Sequence, residues 1–354
     1  MDSEDALSIA EVTAADRTPK GKFTEALTAE QNALKIAENR YGPTHPSLVP
    51  ILFDLATLDR HLALYPEAEN NLQWALAILQ RNFGNVDIQT AESLSQLASL
   101  YFDWGHWEDA EYFQNKAVTL WEKAPQTGTA PLMLAQALGL LGQIELELGK
   151  NAKALSLIKK GDGLLENNPG IQPIQRIQSL NLLASAYHSL GKFPEEGSCL
   201  QKALQLAKNH FKANAVELAD AQQRLAGFYH SQNQDGEAKP LYESALQIYQ
   251  GCVGSYFGYS SLPYIQKLAT AQEIAGQWKE ARDLLQNALP SCEEIYGSSH
   301  PQVAVFLLDL ARAQKGLGQK DAAQADLKTA LQIARSFYRD DNPLVIQIKK
   351  ELQH

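Results

Sequence analysis

The chain is short of nearly everything from which an active site or a membrane anchor is built. Cysteine occurs three times in 354 residues, as Cys199, Cys252 and Cys292. An odd number at wide spacing excludes a disulfide framework and the close Cys/His spacing of a zinc site. A reducing cytoplasm is the expected compartment. No apolar run reaches the length of about 18 residues that a membrane span needs. Positive charge is in deficit: 31 Lys and Arg face 41 Asp and Glu, for a net charge of −10. A basic surface for nucleic acid or an anionic membrane is therefore not expected. The start, Met1-Asp2-Ser3-Glu4-Asp5, is acidic and unlike a signal peptide, although a leader already removed would leave no trace.

Catalytic constellations are equally scarce. Gly161-Asp162-Gly163 is the one short glycine motif, and no Lys-Ser/Thr follows it, as a phosphate-cradling loop would require. No Ser/His/Asp or Cys/His set is legible. Of eight histidines, His45 and His300 fall in turns, where a role at a helix start is expected. His188 and His230 stand 42 residues apart. They line a common face, with a metal-binding or pH-sensing pair as the open alternative. No catalytic residue, cofactor or metal is expected, and the chain reads as non-enzymatic.

What is present is repetition. A Leu-Ala pair recurs at Leu55, Leu97, Leu183, Leu225, Leu268 and Leu310, with Leu141-Gly142 filling the gap, at steps of 42, 44, 42, 42, 43 and 42 residues. A second ladder follows at Ala26, Ala68, Ala110, Ala154, Glu196, Ala238, Ala281 and Ala323, and a third at Ala33, Ala75, Ala117, Gly161, Ala203, Ala245, Ala288 and Ala330. Such a period specifies stacked repeats. In the third repeat, Ala91, Leu94, Leu97, Ala98 and Tyr101 share one helical face. Gly105 stops that helix, and Ala110, Phe113, Ala117 and Leu120 begin another. Small residues at fixed points mark close helix crossings, where overpacking costs about 1–3 kcal/mol. Tyr41-Gly42-Pro43-Thr44-His45-Pro46 and Tyr296-Gly297-Ser298-Ser299-His300-Pro301 are near copies 255 residues apart. Glycine ends one helix there, and proline is tolerated in the first turn of the next.

Gly105-His106-Trp107-Glu108-Asp109-Ala110-Glu111, Gly276-Gln277-Trp278-Lys279-Glu280-Ala281, Ala75-Leu76-Ala77-Ile78 and Ala330-Leu331-Gln332-Ile333 resemble the tetratricopeptide repeat, in the longer variety found in the kinesin light chain and many bacterial relatives. HEAT and armadillo repeats have a similar length but lack this alanine ladder with its Gly-x-aromatic turn. The resemblance implies an all-α, right-handed superhelix (an α-solenoid) of antiparallel helix pairs. Residues 1–20 are expected to be an N-terminal capping segment, with a short helix at 5–16. About eight repeats fill 21–340. A capping helix at 341–354 has Leu344, Ile348 and Leu352 on one face.

The resemblance also implies where a partner would lie. In that family the first helix of each pair lines a concave groove, and asparagines there hydrogen-bond an extended peptide. The matching positions are Ser95, Gln96, Ser99, Asn181, Ser185, His188, Gln223, Arg224, His230, Gln266, Lys267, Thr270, Arg312 and Lys315. Hydroxyls and amides of this kind can satisfy the backbone of an extended segment. Arg224, Lys267, Arg312 and Lys315 gather in the last three repeats, so an acidic segment or C-terminus is the expected occupant. The function implied is a non-catalytic protein-interaction module. The alternative is a scaffold or self-assembling subunit that uses its convex face or its ends. A sensor of a small peptide, as in bacterial quorum-sensing receptors with such repeats, is third. Three irregularities stand out: glycines at 139, 142, 161 and 163 that read as a softer joint, an aromatic loop at 254–259, and Glu196-Gly197 in the alanine ladder, where a one-residue offset of the helix is an open alternative.

Overall fold

The alanine ladders become helix crossings. In a computed structural model, residues 22–84, 87–125, 127–166, 168, 170–252 and 261–353 are described. The expected helix at 5–16 and the loop at 254–259 lie outside them. Among the described residues there are α-helices and short 3-10 turns but no strand. The helices are α1 (Phe23–Tyr41), α2 (Val49–His61), α3 (Tyr65–Phe83), α4 (Ile88–Trp104), α5 (Trp107–Lys123), α6 (Ala130–Glu147), α7 (Asn151–Glu166) and α8 (Pro173–Ser189). They continue as α9 (Phe193–His210), α10 (Val216–Ser231), α11 (Asp235–Cys252), α12 (Leu262–Ile274), α13 (Trp278–Tyr296), α14 (Pro301–Gly316), α15 (Lys320–Phe337) and α16 (Pro343–Gln353). Even-numbered helices carry the Leu-Ala pairs and odd-numbered ones the two alanine ladders. Every alanine of those two ladders, from Ala26 to Ala330, is at most 2% exposed.

The turns explain the near-copy motifs. Gly105, with φ of 78°, ends α4 in the left-handed region, and its N–H donates to the carbonyls of Phe102 and Tyr101. His300 caps α14: its Nδ1 accepts from the Gln302 N–H at 3.0 Å. His45 does the same for the Ser47 N–H at 3.2 Å, ahead of a 3-10 turn, Pro46–Leu48, that leads into α2. Each imidazole stacks on the tyrosine before its turn, Tyr41 at 5.0 Å and Tyr296 at 4.8 Å. Accepting through Nδ1 requires a neutral ring. Burial holds His300 in that form by pushing its pKa down to about 4.

The chain divides into two units, 83–251 and the remainder, 1–82 with 252–354. Within 83–251, α4 to α10 pack each on the next. Two glycines of its fourth repeat, Gly142 and Gly161, mark tight crossings. A Cβ on Gly142 would stand 2.3 Å from Ile158 Cγ1, and one on Gly161 would stand 3.0 Å from the Ala135 carbonyl oxygen. Gly163 faces open space. Glu196 keeps the alanine position without an offset, because α9 begins at Phe193 just as α5 begins at Trp107, three residues before Ala110. The carboxylate of this buried Glu196 is held by His188 at 3.0 Å.

The other unit brings its two chain segments together. Phe23, 1% exposed at the start of α1, stacks on His61 at 4.9 Å and on Tyr296 of α13 at 6.0 Å. Ala26, Ala29 and Leu58 complete that cluster, with Ile295 packed against it. Tyr65 meets Phe337 edge-on at 6.5 Å, and its hydroxyl lies 3.2 Å from that of Tyr338. At the other end, α16 packs on α15 and touches α14. Val345 and Ile348 are its fully buried residues, while Leu344 and Leu352 are only half-buried. The apolar face is therefore turned slightly from the one read in sequence.

Candidate functional site

Within 83–251, the even-numbered helices turn one polar stripe toward a common trough. Its main part is a concavity of about 460 Å³ lined from α6 by Gln136, Gly139, Leu140 and Gln143, from α8 by Gln178, Asn181, Leu182 and Ser185, and from α10 by Arg224. A second part, about 350 Å³, shares Gln136 and Leu140 and adds Ser95, Gln96 and Ser99 of α4 with Met133 of α6. Leucines form apolar patches of the wall while amides and hydroxyls face the space, the mixture that suits a polypeptide backbone with intervening side chains. Gly139 helps to form the hollow; a Cβ there would press to 3.3 Å from Leu182 Cδ1.

Two of the expected residues carry unused hydrogen-bonding capacity. Asn181 Oδ1 and Ser95 Oγ are buried atoms with no hydrogen-bond partner among the described residues. Buried polar groups are ordinarily paired, and an unpaired one costs about 1–3 kcal/mol. Both atoms belong to residues lining the trough. Arg224 is exposed at the α10 end of the trough. Ser185 differs from the sequence reading in one respect. Its hydroxyl donates to the Asn181 carbonyl at 3.1 Å, leaving only its lone pairs for an incoming N–H.

Three other expected residues of this unit are held by their own neighbours. The Tyr249 hydroxyl of α11 lies 2.6 Å from Asp220 Oδ1 and 2.9 Å from the side-chain amide of Gln223. His188 takes Glu196, and His230 takes Asp235 at 2.7 Å. Each histidine is thus joined to a carboxylate in the first turn of the following helix. Sequence reasoning missed Gln136 and Gln178. Each lies five residues before the Leu of its repeat, three before the expected position, and so one helical turn back on the same stripe.

In the remaining unit the expected residues are Gln266, Lys267 and Thr270 on α12, and Arg312 and Lys315 on α14. Gln266 bridges to Gln302 at 2.8 Å and Asp309 at 3.4 Å. Thr270 donates to the Gln266 carbonyl at 2.9 Å. Lys267 lies over the Tyr264 ring, 5.9 Å from its centre. Arg312 reaches Asp309 at 3.4 Å and Glu351 at 3.3 Å, and Lys315 reaches Glu351 at 2.8 Å. Carboxyls therefore answer these cations, and the stripe is less basic than its Arg and Lys suggest. Burial pushes Glu273 up to about 8, helped by the charges of Asp309 and Glu351, and pushes Asp309 up to about 6. No helix among the described residues is long and apolar enough to cross a membrane.

The sequence profile of the tetratricopeptide repeat matches residues 7–81, 60–123, 175–251 and 261–336, well over half the chain. A curated relative, the clustered mitochondria protein homolog of Coccidioides immitis (strain RS), is 32% identical over 78 residues, 22% of this chain. The chain spans only 6% of that relative's length. Among solved structures, BtubC (BKLC) from P. vanneervenii superposes with a TM-score of 0.50 at 18% identity, over 67% of this chain and 94% of that one. The apo form of the quorum sensor NprR from B. thuringiensis does so with a TM-score of 0.61 at 12% identity, over 94% of this chain and 87% of that one. At those identities the likeness is one of fold. The period, the buried alanine ladders, the paired helices and the profile agree: the chain belongs to the tetratricopeptide repeat family.

Proposed function

We propose that this protein is a non-catalytic interaction module that holds an extended segment of another protein in the trough of α4, α6, α8 and α10. The observation that carries this reading is the connected trough, in which amides and hydroxyls from α4, α6 and α8 share the wall with leucines and Arg224 stands at the α10 end. Asn181 would exchange hydrogen bonds with backbone amides of the segment, and Ser185 would accept one. Arg224 would meet an acidic side chain or a terminal carboxylate at the α10 end. The leucine-lined hollow beside Gly139 would take an apolar side chain. Cys199 and Cys292 are buried free thiols and Cys252 is also unpaired, which supports a reducing compartment such as the cytoplasm. The test is a titration of a partner segment first recovered from the source cell. Asn181→Ala combined with Arg224→Ala should weaken its binding by about tenfold or more, with helicity unchanged. An unaltered Kd would reject the groove as the site.

A further inference from the structure

We propose that the hollow between α7, α8 and α9, on the side of α8 turned away from the trough, binds a small molecule: a carboxylate with an apolar body. The hollow measures about 540 Å³, a size common among small-molecule sites. From α8 it is lined by Arg176, Leu180, Leu183 and Tyr187. Their spacing of four, three and four residues puts them on one helical face. The trough residues of the same helix, Gln178, Asn181, Leu182 and Ser185, lie roughly half a turn round. The two cavities therefore use opposite faces of α8.

Each helix brings one cation to this hollow: Lys159 from α7, Arg176 from α8 and Lys202 from α9. Two acids line it as well, Asp162 and Glu166, and Arg176 engages both. Its guanidinium donates to the carboxylate and the main-chain carbonyl of Asp162 and lies 3.5 Å from Glu166. Lys159 and Lys202 have no carboxylate partner among the described residues. Lys159 Nζ instead stands 5.3 Å from the centre of the Tyr187 ring, which holds the ammonium against the wall. Burial pushes up the pKa of the Cys199 thiol, another lining group, while the charges of Lys202, Lys159 and Arg176 act to lower it. The three cations thus reach one point of the wall. Their sum with the two acids leaves one positive charge, which a monoanion balances and a dianion exceeds. The rest of the wall is apolar, from Leu180, Leu183 and Leu206. A carboxylate head would take charge-assisted hydrogen bonds from Lys159 and Lys202, and a hydrocarbon body would cover the leucines.

The probes are decanoate, acetate and inorganic phosphate, titrated calorimetrically into the full chain at low salt, where exposed charges are least screened. Decanoate should bind about tenfold or more tightly than either of the others, because only it has both a head and a body. Lys159→Gln combined with Lys202→Gln should weaken decanoate by about three- to tenfold. Lys160→Gln combined with Lys208→Gln removes the same charge from exposed places on α7 and α9 outside the hollow. That pair should leave the affinity within about twofold. No saturable binding of decanoate would overturn the proposal, as would acetate or phosphate binding as tightly as decanoate. Equal affinity losses in the two double variants, or no loss in the first, would also overturn it. None of the four lysines lines the trough, so either result leaves the Asn181 and Arg224 titration to be read by itself.

Discussion

Replacing Phe23 by alanine is expected to destabilise the unit formed by 1–82 and 252–354 by about 3–5 kcal/mol, the usual cost of emptying a buried phenylalanine site. Phe23 is 1% exposed and stacks on rings from two distant parts of the chain, His61 and Tyr296. In a stack of repeats each unit ordinarily leans only on its neighbours, and losses stay local. Here the first helix also leans on α13, so the damage should appear in both segments. Urea denaturation gives the magnitude. Amide exchange gives the location: protection should fall in α1 and in the last turns of α13, while α6 and α7 in the other unit keep theirs. Phe23→Leu should recover part of the loss. Faster exchange confined to α1 would mean that the contact with Tyr296 carries no energy.

Gly142→Ala and Gly163→Ala should have opposite signs, although both place alanine inside a helix of the same repeat. Alanine is normally the better helix former by about 0.5–1 kcal/mol. Gly163 meets nothing within 4 Å, so that gain should appear in full. At Gly142 the new methyl would stand 2.3 Å from Ile158 Cγ1 and 3.4 Å from the Ala154 carbonyl oxygen. Cγ1 is close to the backbone of α7 and cannot swing clear, so the helices must part. A loss of about 1–3 kcal/mol is expected. Thermal or urea melts of the two variants decide the matter. Stabilisation by both would mean that the crossing has slack and that this repeat is a soft joint.

The fold was legible because its information is periodic. Leu-Ala and alanine positions recur every 42 to 44 residues, and the close crossings they serve need the same small residue each time. The His-Pro turns were legible for the same reason, since His45 and His300 perform one capping task twice. The trough was legible in outline through Asn181, Ser185 and Arg224, which sit where the helical stripe puts them. What escaped the sequence is pairwise and aperiodic. Nothing in the spacing says that Gln223 answers Tyr249, that Glu351 returns to Arg312 and Lys315, or that Phe23 meets a ring 273 residues away. Such contacts depend on how distant turns of the chain approach, and a repeat pattern records only what neighbours share. Hydroxyl donors on the stripe were over-counted for a local reason: Ser185 and Thr270 return their protons to their own helices.

The central claim is that a partner lies along the even-numbered helices of 83–251, and hydroxyl-radical footprinting of the complex tests it most directly. Met133 and Leu182 line the trough, whereas Tyr112 of α5 and Phe193 of α9 are 56% and 39% exposed elsewhere. On binding, oxidation of Met133 and Leu182 should fall severalfold while Tyr112 and Phe193 react as before. Protection of Tyr112 or Phe193 with Met133 and Leu182 unchanged would contradict the account and put the partner on the other face.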